Sequence, residues 1–167
     1  NTLHRLQPTT SIMKQSILIV SACALALTFL PVRSRAHCQI PCGIYDDPAR
    51  FVLWEEHITT IEKSMTLIKD LAGKHDAADQ NQMTRWVMNK ERHADEFTEI
   101  VTFYFLAQRI KPTDASDRAA YRKYLRQVEL LHHMIVHAMK AKQTVDLEQT
   151  AKLRELVKEF KGLYLAK

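Results

Sequence analysis

A chain of 167 residues with 46% apolar content is long enough for one domain with a real core, and its three glycines and five prolines are too few for the many corners of an all-β or α/β fold. The formal charge of +5 suggests nucleic acid until it is located: residues 1–36 hold Arg5, Lys14, Arg33 and Arg35 and no acidic residue, so the remainder carries +1. A nearly neutral body offers no broad basic face for phosphates, which removes nucleic acid and the membrane surface as leading partners.

The first methionine is Met13, the expected start. It is followed by Lys14, an apolar run over 16–30, and Ser34-Arg35-Ala36, which puts small residues three and one places before His37. That is the pattern of a secretory signal peptide cut after Ala36, and it implies export to a periplasm or the extracellular space, with a cytoplasmic location as the alternative. A retained anchor fits less well, because the run is short and carries Ser and Thr, so no stable membrane span is expected after processing. Val20-Ser21-Ala22-Cys23 offers a second processing site, a lipoprotein box that would make Cys23 the first residue. A cut after Ala36 instead makes His37 the first residue and leaves Cys38 and Cys42 as the two cysteines.

Asp46-Asp47-Pro48 reads as a helix start, with a carboxylate at the N-cap and proline at the first helical position. The helix runs to about Gly73, with Phe51, Trp54, Ile58, Ile61, Met65, Ile68 and Ala72 on one stripe. A second begins near Asp76 or Asp79 and continues to about Arg109, with Met83, Val87, Ala94, Phe97, Val101, Tyr104 and Phe105 inward, Trp86 beside them and Pro112 as its stop. Thr113 and Asp114 cap a third, whose apolar positions are Tyr121, Tyr124, Leu125, Val128, Leu131, Ile135, Ala138 and Met139, ending near Gln143. Thr144 and Asp146 open a fourth, with Leu147, Ala151, Leu153, Val157, Phe160 and Tyr164 inward, fading after Gly162. Four amphipathic helices with short connections predict an all-α fold, an up-down antiparallel four-helix bundle over 46–167, preceded by a hook over 37–45. A bundle of this size would gain core by oligomerising.

The hook, His37-Cys38-Gln39-Ile40-Pro41-Cys42-Gly43-Ile44-Tyr45, carries the densest chemistry. Cys38 and Cys42 have three residues between them, so the pair is neither a thioredoxin motif nor a haem attachment site, and structural zinc would want two further thiolate or imidazole ligands. In an exported protein a small disulfide loop is the plain alternative. A free N-terminus at 37 adds an α-amine and an imidazole, and residue 38 adds a backbone amide and a thiolate. Amine, amide and two thiolates make a planar N₂S₂ set, the geometry of Ni(II) or Cu(II). Pro41 stiffens the loop and Gly43 permits the turn after it.

His-Cys-x-x-Pro-Cys-Gly-x-Tyr at a processed N-terminus, ahead of a four-helix body, resembles the nickel superoxide dismutase family. The resemblance implies that His37, Cys38 and Cys42 hold one nickel ion per subunit, with the His37 imidazole as an axial ligand in the oxidised state. It places Tyr45 beside the open face, where it would order water or superoxide. It also implies disproportionation of superoxide by Ni(II)/Ni(III) cycling, a homohexamer, and a processing peptidase as partner. Thiolate and amide donors have a physical purpose here, since they bring a couple that is too oxidising for aqueous nickel into the range of superoxide. Family members orient the axial histidine with a carboxylate from the first helix and an arginine from the second. Glu55 or Glu56 would supply the first; the arginine position falls on His93, with Arg92 adjacent.

Two readings of other classes stand beside this one. Glu129-Leu130-Leu131-His132 has the Glu-x-x-His spacing of ferritin-like di-iron bundles, which need a second copy and two more carboxylates; the nearest, His93 and Glu96, has the reverse order. The hook could also serve a non-enzymatic copper or nickel carrier. His133 and His137 at i, i+4 read as edge histidines, and Met134 and Met139 as core fillers.

Overall fold

A computed structural model describes residues 46–166. Four helices account for most of them: α1 Asp47–Leu71, α2 Ala77–Glu99, α3 Arg118–Gln143 and α4 Glu148–Leu165. Ile100–Arg109 prolongs α2 as a π-helix. Each helix packs against its neighbours in chain order, and α1 closes the ring against α4, which gives the expected up-down bundle. Among the described residues there is no strand, and no helix is long and apolar enough to cross a membrane.

The helix ends follow from local chemistry. Pro48 stands in the first turn of α1, and Gly73 takes φ +88 just beyond its last turn, the left-handed position that favours glycine. Asp76 accepts the Asp79 N–H at 2.8 Å to cap α2, and Asp117, not Thr113 or Asp114, accepts the Ala120 N–H at 3.1 Å to cap α3. At the far end of α3 the cap is supplied from another helix. Lys90, 4% exposed on α2, donates its Nζ to the carbonyls of Ala141 (2.9 Å), Lys142 and Thr144 (3.2 Å). An ammonium at a helix C-terminus satisfies orphan carbonyls and opposes the negative end of the dipole.

The core is graded along the bundle. Phe51, Trp54, Phe97, Phe105 and Phe160 are buried together at the end where α1 begins, with Trp54 stacked on Phe105 at 4.7 Å between centroids. Trp54 Nε1 donates to the Phe97 carbonyl at 3.1 Å, so the indole is satisfied as well as packed. Toward the other end the buried residues are smaller, Ile61, Met65, Ala94 and Ala141. Several expected core positions lie outside: Ala72, Val87, Leu125, Met139, Leu147 and Ala151 are exposed, while Leu130 and Met134 face inward on α3. α3 is rotated so that Leu130, Leu131, Met134, Ala138 and Ala141 form its buried line.

Candidate metal centre

The hook, residues 37–45, and the segment before it lie outside the described residues. What the structure places is the start of the bundle that follows the hook in the chain. Asp47, two residues after Tyr45, accepts hydrogen bonds from Tyr104 (to Oδ1) and Tyr164 (to Oδ2, 2.8 Å), and Arg109 Nε lies 2.7 Å from Oδ1. Arg109 also donates to the Tyr104 hydroxyl at 2.9 Å, and the guanidinium carbon of Arg50 sits 5.2 Å from the centre of the Tyr104 ring. Burial alone would raise the Asp47 carboxyl. The two tyrosine hydroxyls and the Arg109 charge outweigh it and hold that carboxyl below its ordinary range. The same burial, together with the bond to a carboxylate, pushes both tyrosine hydroxyls up.

The π-helix makes this possible. Residues five apart point about 140° away from each other on an α-helix, but i→i+5 bonding brings them into line. Ile110 N–H bonds the Phe105 carbonyl at 2.9 Å, Gln108 Nε2 bonds the Phe103 carbonyl at 2.6 Å, and Tyr104 and Arg109 converge on Asp47. The first turn of α1 is thus tied to the end of α2 and to α4.

A second cluster lies on the seam between α1 and α2. His57 Nδ1 and His93 Nδ1 are 2.9 Å apart, and each is 3.5 Å from Glu96 Oε2. Among the described residues these three are the group of potential metal ligands that come together. Burial and the neighbouring His93 push the His57 imidazole below its ordinary value, against the opposing pull of Glu96 and Glu56. Further along the seam Asn89 Nδ2 bonds Ser64 Oγ at 3.1 Å.

The other candidates separate cleanly. Of the pair on α2, His93 faces the seam, whereas Arg92 points outward, 3.0 Å from Asn89 Oδ1 and 3.9 Å from Glu96 Oε1. Glu55 and Glu56 are exposed, Glu55 lying 3.8 Å from Arg154. Glu129 and His132 are also exposed; Glu129 is taken by Arg126 at 2.7 Å, so this Glu-x-x-His faces water and not a bundle interior. His137 lies 3.0 Å from Gln149 and His133 is exposed.

A family model described as nickel-containing superoxide dismutase matches residues 32–167. The chain belongs to that family. Its members are oxidoreductases acting on superoxide, and nickel is their cofactor. Comparisons with curated proteins and with solved structures found no match. The donor chemistry distinguishes the two possible centres in this nickel-containing superoxide dismutase. A nickel ion that changes oxidation state wants soft, electron-rich sulfur, which His57, His93 and Glu96 lack and Cys38 and Cys42 supply. The hook fits the group; the seam does not.

Sequence reading missed His57, Asp47, Tyr104 and Arg109 as polar site residues. His57 carries a signal in hindsight, since it stands three residues after Trp54 and four before Ile61, inside the buried stripe of α1.

Proposed function

We propose that this chain disproportionates superoxide by Ni(II)/Ni(III) cycling in a hook formed by residues 37–45, two superoxide anions and two protons giving dioxygen and hydrogen peroxide. One observation carries the reading: the family match begins at residue 32 and so takes in the whole His-Cys-x-x-Pro-Cys-Gly-x-Tyr motif, whose donors suit planar nickel.

Nickel supplies the one-electron oxidation and reduction. The α-amine of His37, the amide of Cys38 and the thiolates of Cys38 and Cys42 would hold it, with the His37 imidazole as a further donor, as the family resemblance implies. Thiolate charge from Cys38 and Cys42 would lower the potential of the couple into the range of superoxide. Pro41 would stiffen the loop and Gly43 permit the turn that lets both sulfurs reach one ion. The Tyr45 hydroxyl, by the family resemblance, would order water or superoxide and restrict access. The Asp47 network supports this role by fixing the chain two residues beyond Tyr45 to two other segments of the bundle, the end of α2 and α4. Cleavage after Ala36 creates the amine, so a processing peptidase is a necessary partner and the product is exported. The protein works as a homohexamer, as the family resemblance implies.

The test is a pair of proteins, one beginning at His37 and one carrying a single alanine ahead of it, compared by nickel content, superoxide consumption and far-UV circular dichroism. The extended form is expected to keep its helices and lose dismutation. Full activity with the extension refutes the amine as a ligand. Consumption of no more than one superoxide per nickel by the His37 form would make the protein a carrier.

A further inference from the structure

We propose that His57, His93 and Glu96 form a second metal site, a three-ligand site between α1 and α2 for a divalent ion of the zinc class. It uses none of the residues 37–45 and does not depend on the function proposed above; it takes His93, which stands where the family resemblance would put an arginine, as a ligand.

Geometry carries the argument. Nitrogen and oxygen donors bind zinc at about 2.0–2.2 Å, so adjacent ligand atoms of a tetrahedral site are roughly 3.3–3.5 Å apart, against roughly 2.9–3.1 Å at an octahedral one. Glu96 Oε2 lies 3.5 Å from both imidazole nitrogens, at the tetrahedral spacing. The His57–His93 distance of 2.9 Å is that of a hydrogen bond, and opening it by a few tenths of an ångström completes a tetrahedral face. His93 and Glu96 stand three apart on α2 and so share a side of that helix, and His57 comes to them from α1. Ligands delivered from two packed helices are held by the bundle itself.

Access and charge agree with an ion at this point. His57 is 9% exposed, while the side chains of His93 and Glu96 are 17% and 43% exposed. The imidazoles therefore sit at the bottom and the carboxylate at the mouth, leaving the fourth position toward water, as in three-ligand zinc centres. Burial favours the neutral form of His57, the form that can ligate, and Glu96 offsets part of the ion's charge. Without metal, the imidazole that donates holds its proton on Nδ1. On ligation it takes the tautomer protonated on Nε2, so both Nδ1 lone pairs face the ion with no net proton released. With two imidazoles, a carboxylate and no sulfur, the donor set suits zinc and its neighbours and leaves redox chemistry to the hook.

The experiment uses the full chain with C23S, C38S and C42S, which removes every thiol, titrated with Co²⁺ as a coloured stand-in for zinc. One equivalent is expected to bind with the strong visible bands of tetrahedral cobalt. H57Q and H93Q should each weaken binding at least about 100-fold, since loss of a mere outer-sphere partner costs 10–100-fold. E96Q, a change at the surface that leaves the seam packed, must weaken it as well. Absence of binding by the thiol-free chain, or tetrahedral bands that survive H57Q and H93Q, overturns the proposal.

Discussion

Asp47→Asn tests whether charge ties the first turn of α1 to the end of α2 and to α4. Asp47 receives hydroxyl bonds from Tyr104 and Tyr164 and faces Arg109 Nε at 2.7 Å, with its side chain 26% exposed. Hydrogen bonds to a charged group contribute roughly 1.5–3 kcal/mol, against about 1 kcal/mol between neutral partners. Asparagine keeps one acceptor oxygen and turns an amide toward groups that themselves donate. It should lose one bond outright and the charged part of the others, a cost of about 2–3 kcal/mol. At roughly 4 °C per kcal/mol for a chain of this size, the melting temperature should fall by about 8–12 °C. Urea unfolding at several pH values adds a sharper check. Because the folded Asp47 carboxyl sits below its ordinary range, its contribution is complete above about pH 4 and is lost as pH falls through the folded value. The gap between wild type and D47N should therefore be full at pH 7 and close toward pH 2. Equal midpoints at pH 7, or a gap that persists undiminished in acid, would refute this account.

Lys90→Met keeps the buried stem but strips the cap from α3, leaving three carbonyls without their cation; a loss of roughly 2–4 kcal/mol in urea midpoint and slope is expected. His57 has a lowered folded value, so the unfolded chain takes up its proton first, and wild-type stability should drop as pH falls from about 6.5 toward that value. H57Q should remove that part of the slope, which midpoints measured between pH 7 and pH 5 will reveal. Cys38→Ser should abolish nickel binding at the hook and dismutation while the helical circular dichroism stays at its wild-type level.

The four helices were legible because their stripes are long and their stops local: Pro48 at the start of α1, Gly73 just past its end, Asp76 ahead of α2. Which flank of each stripe is buried was less so. Leu125 and Met139 border the true inward line of α3 and remain 46% and 48% exposed, because a helix in a four-member ring covers only the arc that two neighbours reach. The π-helix carried no signal, as a heptad reading assumes the α-helical period and so sets Tyr104 and Arg109 on different faces. The same division runs through the chemistry. The hook can be read because its donors are contiguous, and the proposed cut after Ala36 would assemble them. Packing brings His57 to His93 from 36 residues away and Tyr164 to Asp47 from 117 residues away. A lone histidine in an apolar stripe reads as core until its neighbour is known. That asymmetry suits the work proposed for each part. A ligand set made by proteolysis must be complete within its own short segment, whereas the first turn of α1 is secured by residues distant in sequence, as Asp47 is by the end of α2 and by α4.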